Sequence, residues 1–135
     1  MSGLRLNQVT FAAKDMAASV LFYEALGLIK IVDSAPRYVR FEFPPHADGH
    51  PPATLSLHSV EDTWAPTLNS PLIYFELDDV DAFIKTNKLR TLTEPTTQSY
   101  LWREADIIDP SGNLIRLYQA GENRRFPPWR LNTAS

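Results

Sequence analysis

Apolar and polar residues alternate near the start of the chain, and the apolar positions then change to a helical spacing. Residues 6–12 are typical of a strand, and Asp15 is a residue type that commonly caps a helix. Gly27 is the residue type that most often ends one. Between them, apolar side chains recur at the spacing of one helix face: Ala18, Leu21, Phe22 and Ala25. The pattern predicts a strand followed by a helix.

Three short segments rich in β-branched and aromatic residues come next. They cover residues 28–32, 38–43 and 53–58. A turn-forming segment at 33–36 and a proline-rich loop at 44–52 separate them. The simplest interpretation is three strands after one helix.

The same order of elements then begins again. Residues 72–77 are typical of a strand, and Asp79 follows as a second helix cap. A short helix is predicted to end near Asn87, and one of its faces is apolar: Val80, Phe83 and Ile84.

The two halves align as an internal duplication. An offset of 64 residues places Gln8 on Leu72 and Asp15 on Asp79, and an offset of 60 places TLSLHS on LIRLYQ. We therefore expect two similar modules within a single domain. The boundaries are 4–62 for module one, 63–70 for the linker, 71–120 for module two and 121–135 for a C-terminal tail.

Composition limits the environment and the partners. A chain of 135 residues with 44% hydrophobic residues suits one domain with a real core. The absence of cysteine excludes disulfides and thiolate chemistry, and we expect a cytoplasmic location. A net charge of -3 without a basic run argues against nucleic acid, and no signal peptide or membrane span is evident.

Familiar catalytic motifs are missing from the sequence. No serine stands in a nucleophile elbow and no glycine-rich phosphate loop occurs, so hydrolase and nucleotide-driven functions have no support. His46, Asp48 and His50 form a possible ligand set in the proline-rich loop. We expect adventitious metal binding there at most, because such a loop rarely preorganises a site.

Three segments carry a resemblance to a known family. DMAASVLFYEALGL, ELDDVDAFI and WREADIIDPSGNLIRLY together resemble the vicinal oxygen chelate superfamily of glyoxalases, bleomycin resistance proteins and dioxygenases. The turn at Asp109 to Asn113 is the most specific part. The resemblance implies an α+β fold in which two βαβββ modules form a curved mixed sheet around a central cup, and it makes a homodimer the expected assembly.

Strand alternation sorts the side chains of this implied cup. Apolar side chains such as Leu55, Leu57, Ile115 and Leu117 should pack under the helices. The opposite positions should face the cup: Gln8, Thr10, Thr54, Ser56, His58, Leu72, Tyr74, Glu76, Leu114, Arg116 and Tyr118. The cup is expected to be polar and aromatic.

The resemblance also locates four metal positions, which fall at Gln8, Ser56, Leu72 and Arg116. Only Gln8 is a plausible ligand, since Leu72 has no donor atom and a guanidinium offers no lone pair. We therefore predict no metal and no other cofactor.

The ligand is expected to be a small organic molecule. Arg116 favours an aromatic anion, whereas the net charge of -3 suits a cation such as a cationic antibiotic, so the charge of the ligand stays open. Arg116 needs an anion, supplied either by the ligand or by Glu76. Ring-bearing side chains can stack on a planar ligand or simply fill the cup. The candidate ligand-binding residues are Gln8, Ser56, His58, Tyr74, Glu76, Trp102, Arg116 and Tyr118.

Three functions remain open at this point. The first is a metal-independent small-molecule-binding protein. The second is a lyase, isomerase or dioxygenase with a non-standard metal or metal-free site, for which Glu76 and His58 are the candidate catalytic residues. The third is a non-catalytic interaction subunit that uses the RRFPPWR segment of the tail.

Overall fold

The computed structural model describes residues 3–47 and 49–131. The chain divides into two compact units. The first contains the described residues up to Leu68 together with the turn Asp109–Asn113, and the second contains Asn69–Ile108 and the residues after Asn113. Each unit holds one four-stranded sheet and one α-helix, so the predicted pair of βαβββ modules and the α+β class are confirmed.

The first module follows the predicted order. Its elements are β1 (Gln8–Ala13), α1 (Met16–Ala25), β2 (Ile29–Ser34), β3 (Tyr38–Glu42) and β4 (Thr54–Ser59). The strands lie in the order β1-β4-β3-β2. β1 is parallel to β4 and the other pairs are antiparallel, which makes the sheet mixed.

The second module repeats this arrangement. Its elements are β5 (Ile73–Glu76), α2 (Val80–Asn87), β6 (Thr96–Thr97), β7 (Arg103–Ile108) and β8 (Leu114–Gln119). The order β5-β8-β7-β6 matches the first sheet strand for strand, with β5 parallel to β8. A 3-10 helix, Gly121–Arg124, follows at the start of the C-terminal tail.

Equivalent residues begin the two helices. The Asp15 carboxylate accepts a hydrogen bond from the Ala18 amide, and the Asp79 carboxylate accepts one from the Ala82 amide, each at 3.0 Å. Both caps satisfy an amide that the first helical turn leaves unpaired. The duplication offset of 64 is therefore visible in the geometry of the caps.

The buried aliphatic side chains of β4 and β8 lie on one face of each sheet, as alternation predicts. Leu55 and Leu57 of β4 are fully buried, as is Ile115 of β8, whose neighbour Leu117 is 1% exposed. Intervening residues lie on the opposite face, which we call the helix-distal face because the apolar face packs against the helix of the same module. The candidate chemistry lies on the helix-distal faces.

The turn before β8 is held by one buried carboxylate. Asp109 accepts hydrogen bonds from the amides of Ser111 and Asn113, both at 2.9 Å, and from the Asn113 side chain at 2.8 Å. The Tyr23 hydroxyl donates to the same group at 2.7 Å. Gly112 has a φ of 96°, a conformation that favours glycine.

Membrane insertion has no support from the helices of the described part of the chain. None of them is long and apolar enough to span a bilayer.

Candidate functional site

On the helix-distal face of the first sheet, polar side chains bond to one another. The Gln8 amide nitrogen donates to Ser56 Oγ at 3.4 Å, and Gln8 Oε1 accepts from the Thr54 hydroxyl at 2.7 Å. Ser56 is fully buried and also lies 2.6 Å from the Tyr38 hydroxyl. Ser56 is a predicted ligand-binding residue, and its hydroxyl holds the side chains of Gln8 and Tyr38 in place.

Tyr38 is the most chemically distinctive residue of this face. Arg40 Nε donates to its hydroxyl at 2.8 Å, in addition to the bond with Ser56. These hydrogen bonds, that of Ser56 first, and the positive charge of Arg40 hold the pKa of Tyr38 below its ordinary value. The arrangement supports a phenol that ionises more readily than usual.

The two residues predicted as candidate bases lie at the margins. His58 is exposed near the end of β4. Glu76 is also exposed, and its carboxylate lies 3.8 Å from Arg124 Nε. Neither residue occupies the buried, charge-surrounded position that usually tunes a general base.

Arg116 pairs with carboxylates of the neighbouring strand rather than with Glu76. Its Nε and Nη2 donate to Asp106 at 2.7 and 3.0 Å, and its Nη1 lies 3.6 Å from Glu104. The hydrogen bond to Asp106 is the main reason that the pKa of Arg116 is raised. The suggested pairing with Glu76 is wrong, because the register places Asp106 directly opposite Arg116.

Aromatic rings form a cluster beside this ion pair. Trp102 stacks on Tyr118 with centroids 4.7 Å apart and an interplanar angle of 19°. Tyr74 stands edge-on to both rings, 5.9 Å from Trp102 and 5.5 Å from Tyr118. Arg116 lies over the Tyr74 ring at 5.7 Å, a cation–π distance.

The members of this cluster differ in accessibility. Tyr118 is buried, whereas Tyr74 is 42% exposed and offers ring surface. The Trp102 indole nitrogen donates to the Asn123 carbonyl at 3.1 Å. That donor is already engaged, so Trp102 offers a ligand its ring surface and not its indole N–H.

Glu104 lies among these rings and is 5% exposed. Its Oε1 accepts from the Tyr100 hydroxyl at 2.7 Å, while the buried Oε2 has no hydrogen-bond partner among the described residues. Burial first, and then the hydrogen bond to Glu104, raise the pKa of Tyr100 to about 12. Tyr100 therefore keeps its proton and remains a donor to Glu104 at ordinary pH.

The residues at the four implied metal positions do not fit a divalent ion. Gln8 and Ser56 bond to each other, Leu72 has no donor atom, and Arg116 is a cation bound to Asp106. Within the described ranges, no three His, Asp or Glu side chains are grouped to hold a metal. His46 and His50 are part of that search, whereas Asp48 lies outside the described residues.

Several members of these clusters were not identified from the sequence: Tyr38, Arg40, Tyr100, Glu104 and Asp106. Most of them lie in β3 and β7, whereas the predicted cup residues of the strands lie in or beside β1, β4, β5 and β8. Strand alternation applied to β3 and β7 would have separated buried Val39 and Phe41 from Tyr38 and Arg40, and buried Ala105 and Ile107 from Glu104 and Asp106.

Solved structures with similar folds span nearly the whole chain. A lactoylglutathione lyase from Agrobacterium tumefaciens matches with a TM-score of 0.68 at 17% identity, covering 93% of this chain and all of its own. A glyoxalase/bleomycin resistance protein/dioxygenase from Nocardioides has a TM-score of 0.69 at 17% identity, covering 98% of this chain and 92% of its own. The bleomycin resistance determinant of transposon Tn5 has a TM-score of 0.66 at 19% identity, covering 86% of this chain and 98% of its own.

Comparisons of sequence alone give no relative. No protein-family model and no curated protein matches the chain. At identities below a quarter, the structural matches establish the fold and leave the activity open. The resemblance drawn from the sequence is confirmed at the level of the fold: the chain has the same fold as these solved glyoxalase/bleomycin resistance/dioxygenase structures.

Proposed function

We propose that this protein binds a small organic molecule without a metal, and that the ligand contacts the helix-distal face of the second sheet. The observation that carries the proposal is the aromatic cluster of Tyr74, Trp102 and Tyr118 beside the charges of β7 and β8. Rings with a few convergent polar groups are typical of small-molecule sites.

A planar ligand suits the geometry of the cluster. Trp102 and Tyr118 form a rigid stacked pair, and Tyr74 contributes a partly exposed ring at right angles to it. A flat ring added to such a group gains about 0.5–1.5 kcal/mol per aromatic contact beyond the area it buries. Stacking thus supplies affinity, and the adjacent polar groups supply orientation.

The proposal that binding needs no metal rests on the side chains at the implied metal positions. A catalytic metal of this fold family would need several nitrogen or oxygen donors, and the equivalent positions here include the side chains of Leu72 and Arg116. A divalent ion next to a guanidinium is repelled, so binding is expected to persist in the presence of a chelator.

A metal-free enzyme is the second candidate, and Tyr38 is the observation that favours it. A phenol with a lowered pKa beside an arginine can transfer a proton to or from a substrate.

The homodimer and the cytoplasmic location stay predictions from the sequence.

Nuclear magnetic resonance can test the binding function directly. The chain has three tryptophans, so its indole N–H groups give three signals, of which Trp64 and Trp129 serve as internal references. Flat aromatic fragments of positive, neutral and negative charge are titrated in EDTA. We expect selective movement of the Trp102 signal, assigned with Trp102→Phe.

The result against the proposal is equally clear. If no fragment of any charge moves the Trp102 signal at millimolar concentration, or if movement requires an added divalent ion, the proposed function is wrong.

A further inference from the structure

Glu104 carries a buried oxygen with an unmet hydrogen-bonding need. The residue is 5% exposed, and its Oε2 has no hydrogen-bond partner in the described part of the chain. Leaving a charged group unsatisfied costs more than leaving a neutral one, so such groups are rare unless something else satisfies them. The unmet acceptor therefore indicates a hydrogen-bond donor from outside the chain.

The charge balance around Glu104 is negative. Asp106 accepts two hydrogen bonds from Arg116. Glu104 Oε1 lies 3.6 Å from Arg116 Nη1, which is too long for a hydrogen bond. One guanidinium thus faces two carboxylates, which leaves a formal charge of one minus two, or -1. An anionic ligand would add to this negative charge, whereas a cationic ligand completes the balance.

Of the two Glu104 carboxylate oxygens, Oε2 is the one left to accept a hydrogen bond from a ligand. Tyr100 donates to Oε1 at 2.7 Å, which occupies that oxygen and orients the carboxylate. The Tyr100 and Trp102 rings are 6.1 Å apart, and Tyr100 is 40% exposed. Tyr100 lies in the turn before β7, outside the strand that carries Glu104.

We propose that Glu104 Oε2 binds the protonated nitrogen of a flat aromatic cation, such as an amidinium or a protonated amine, whose ring contacts Tyr74 and Trp102. This inference rests on the proposed function and assigns the ligand its charge. Carboxylate oxygens form strong, short bonds to such donors, and the electron-rich faces of the rings attract the same cation. It replaces the anionic ligand expected from Arg116 alone.

The competing explanation is a buried water molecule on Oε2. Water would satisfy the oxygen equally well and would confer no preference for ligand charge. The charge preference of binding therefore separates the two explanations.

The test uses three probes of nearly equal shape: benzamidinium, benzamide and benzoate. Affinity for the full-length protein is measured from the Trp102 indole signal. We expect benzamidinium to bind about ten-fold or more tightly than either of the others, as a charged hydrogen bond predicts. Glu104→Gln should reduce benzamidinium affinity about ten-fold.

Glu94→Gln is the matched control, because Glu94 is exposed in the same unit and the substitution changes the net charge equally. Its benzamidinium affinity should stay within about two-fold of the wild-type value. If benzoate or benzamide binds as tightly as benzamidinium, or if Glu104→Gln retains full affinity, the inference fails while the proposed function stands.

Absence of any shift at Trp102 with all three probes would overturn the aromatic-cation site. The fragment titration above then decides whether the binding function falls with it. Should Glu104→Gln fail to fold, the charge preference of the wild-type protein still decides the inference.

Discussion

Arg116 and Asp106 face each other across β8 and β7 and share two hydrogen bonds, 2.7 Å from Nε to Oδ1 and 3.0 Å from Nη2 to Oδ2. The charge of the Arg116 guanidinium is therefore balanced by a carboxylate of the neighbouring strand β7. With Arg116 bound to Asp106, Glu104 Oε2 is the unpartnered acceptor of this face among the described residues, and the proposal of a cationic ligand rests on it.

Removing the carboxylate of Asp106 should destabilise the fold. The Asp106 side chain is only 13% exposed, so Asp106→Asn leaves a mostly buried guanidinium poorly paired. We expect the free energy of unfolding to fall by about 2 kcal/mol or more in chemical denaturation.

A second arginine–aspartate pair provides the comparison. Arg103 donates to Asp81 at 2.6 and 3.0 Å, but the Asp81 side chain is 52% exposed. Asp81→Asn should cost far less than Asp106→Asn, because water and salt screen an exposed pair. Equal losses would show that burial does not govern the strength of the Arg116 pair.

Tyr23 should make the stability sensitive to alkaline pH. Burial first, and then the Asp109 carboxylate, raise the pKa of Tyr23 above its ordinary value of 10.0. The stabilisation that Tyr23 contributes is therefore complete below pH ~10. It is lost progressively above that pH, because the Tyr23 phenol then ionises in the unfolded state and not in the folded state.

The comparison protein is Tyr23→Phe. At neutral pH it should be less stable by about 2 kcal/mol, since the bond to Asp109 is lost. Above pH 10 the difference should shrink by about 1.4 kcal/mol per pH unit in denaturation curves. A pH-independent difference would contradict a raised pKa at Tyr23.

Tyr38 should titrate before Tyr100 and Tyr118. Hydrogen bonds from Ser56 and Arg40 lower its pKa, whereas burial raises the pKa values of Tyr100 and Tyr118. Ring-carbon resonances assigned with Tyr38→Phe can follow each phenol separately. Ser56→Ala should move the Tyr38 midpoint upward, and an unchanged midpoint would remove Ser56 as the main cause.

The two helix caps should contribute similar stability. Asp15→Ala and Asp79→Ala each remove a 3.0 Å bond to a first-turn amide, and each should cost about 1 kcal/mol by thermal or chemical unfolding. Asp78→Ala, at the exposed position beside the second cap, is the control that should change little. A neutral result at either cap would argue against their equivalence.

Local signals in the sequence were enough to predict the modules. Asp15 and Asp79 begin the helices through bonds three residues away, and alternation in β4 and β8 reflects backbone geometry alone. Two strands of module two are not predicted from a local pattern: β7, and the very short β6, whose two residues Thr96 and Thr97 define no period.

The candidate site depends on pairing between strands, which local patterns do not specify. Arg116 meets Asp106 because of the register between β7 and β8, and that register cannot be counted from the composition of either strand. The sequence left two anions open for Arg116, a ligand or Glu76, and identified neither Asp106 nor Glu104. Stacking of Trp102 on Tyr118 likewise depends on the position of a turn residue relative to a strand.

Alternation along β7 assigns different tasks to adjacent residues. Ala105 and Ile107 fill the interior, while Glu104 and Asp106 carry the charges on the other side. A substitution at Glu104 therefore changes the face that we propose binds ligand while Ala105 and Ile107 stay in the interior, whereas a substitution at Asp106 also removes the partner of Arg116. A scaffold with this division is well suited to acquire new ligands by a few point changes in a single hairpin.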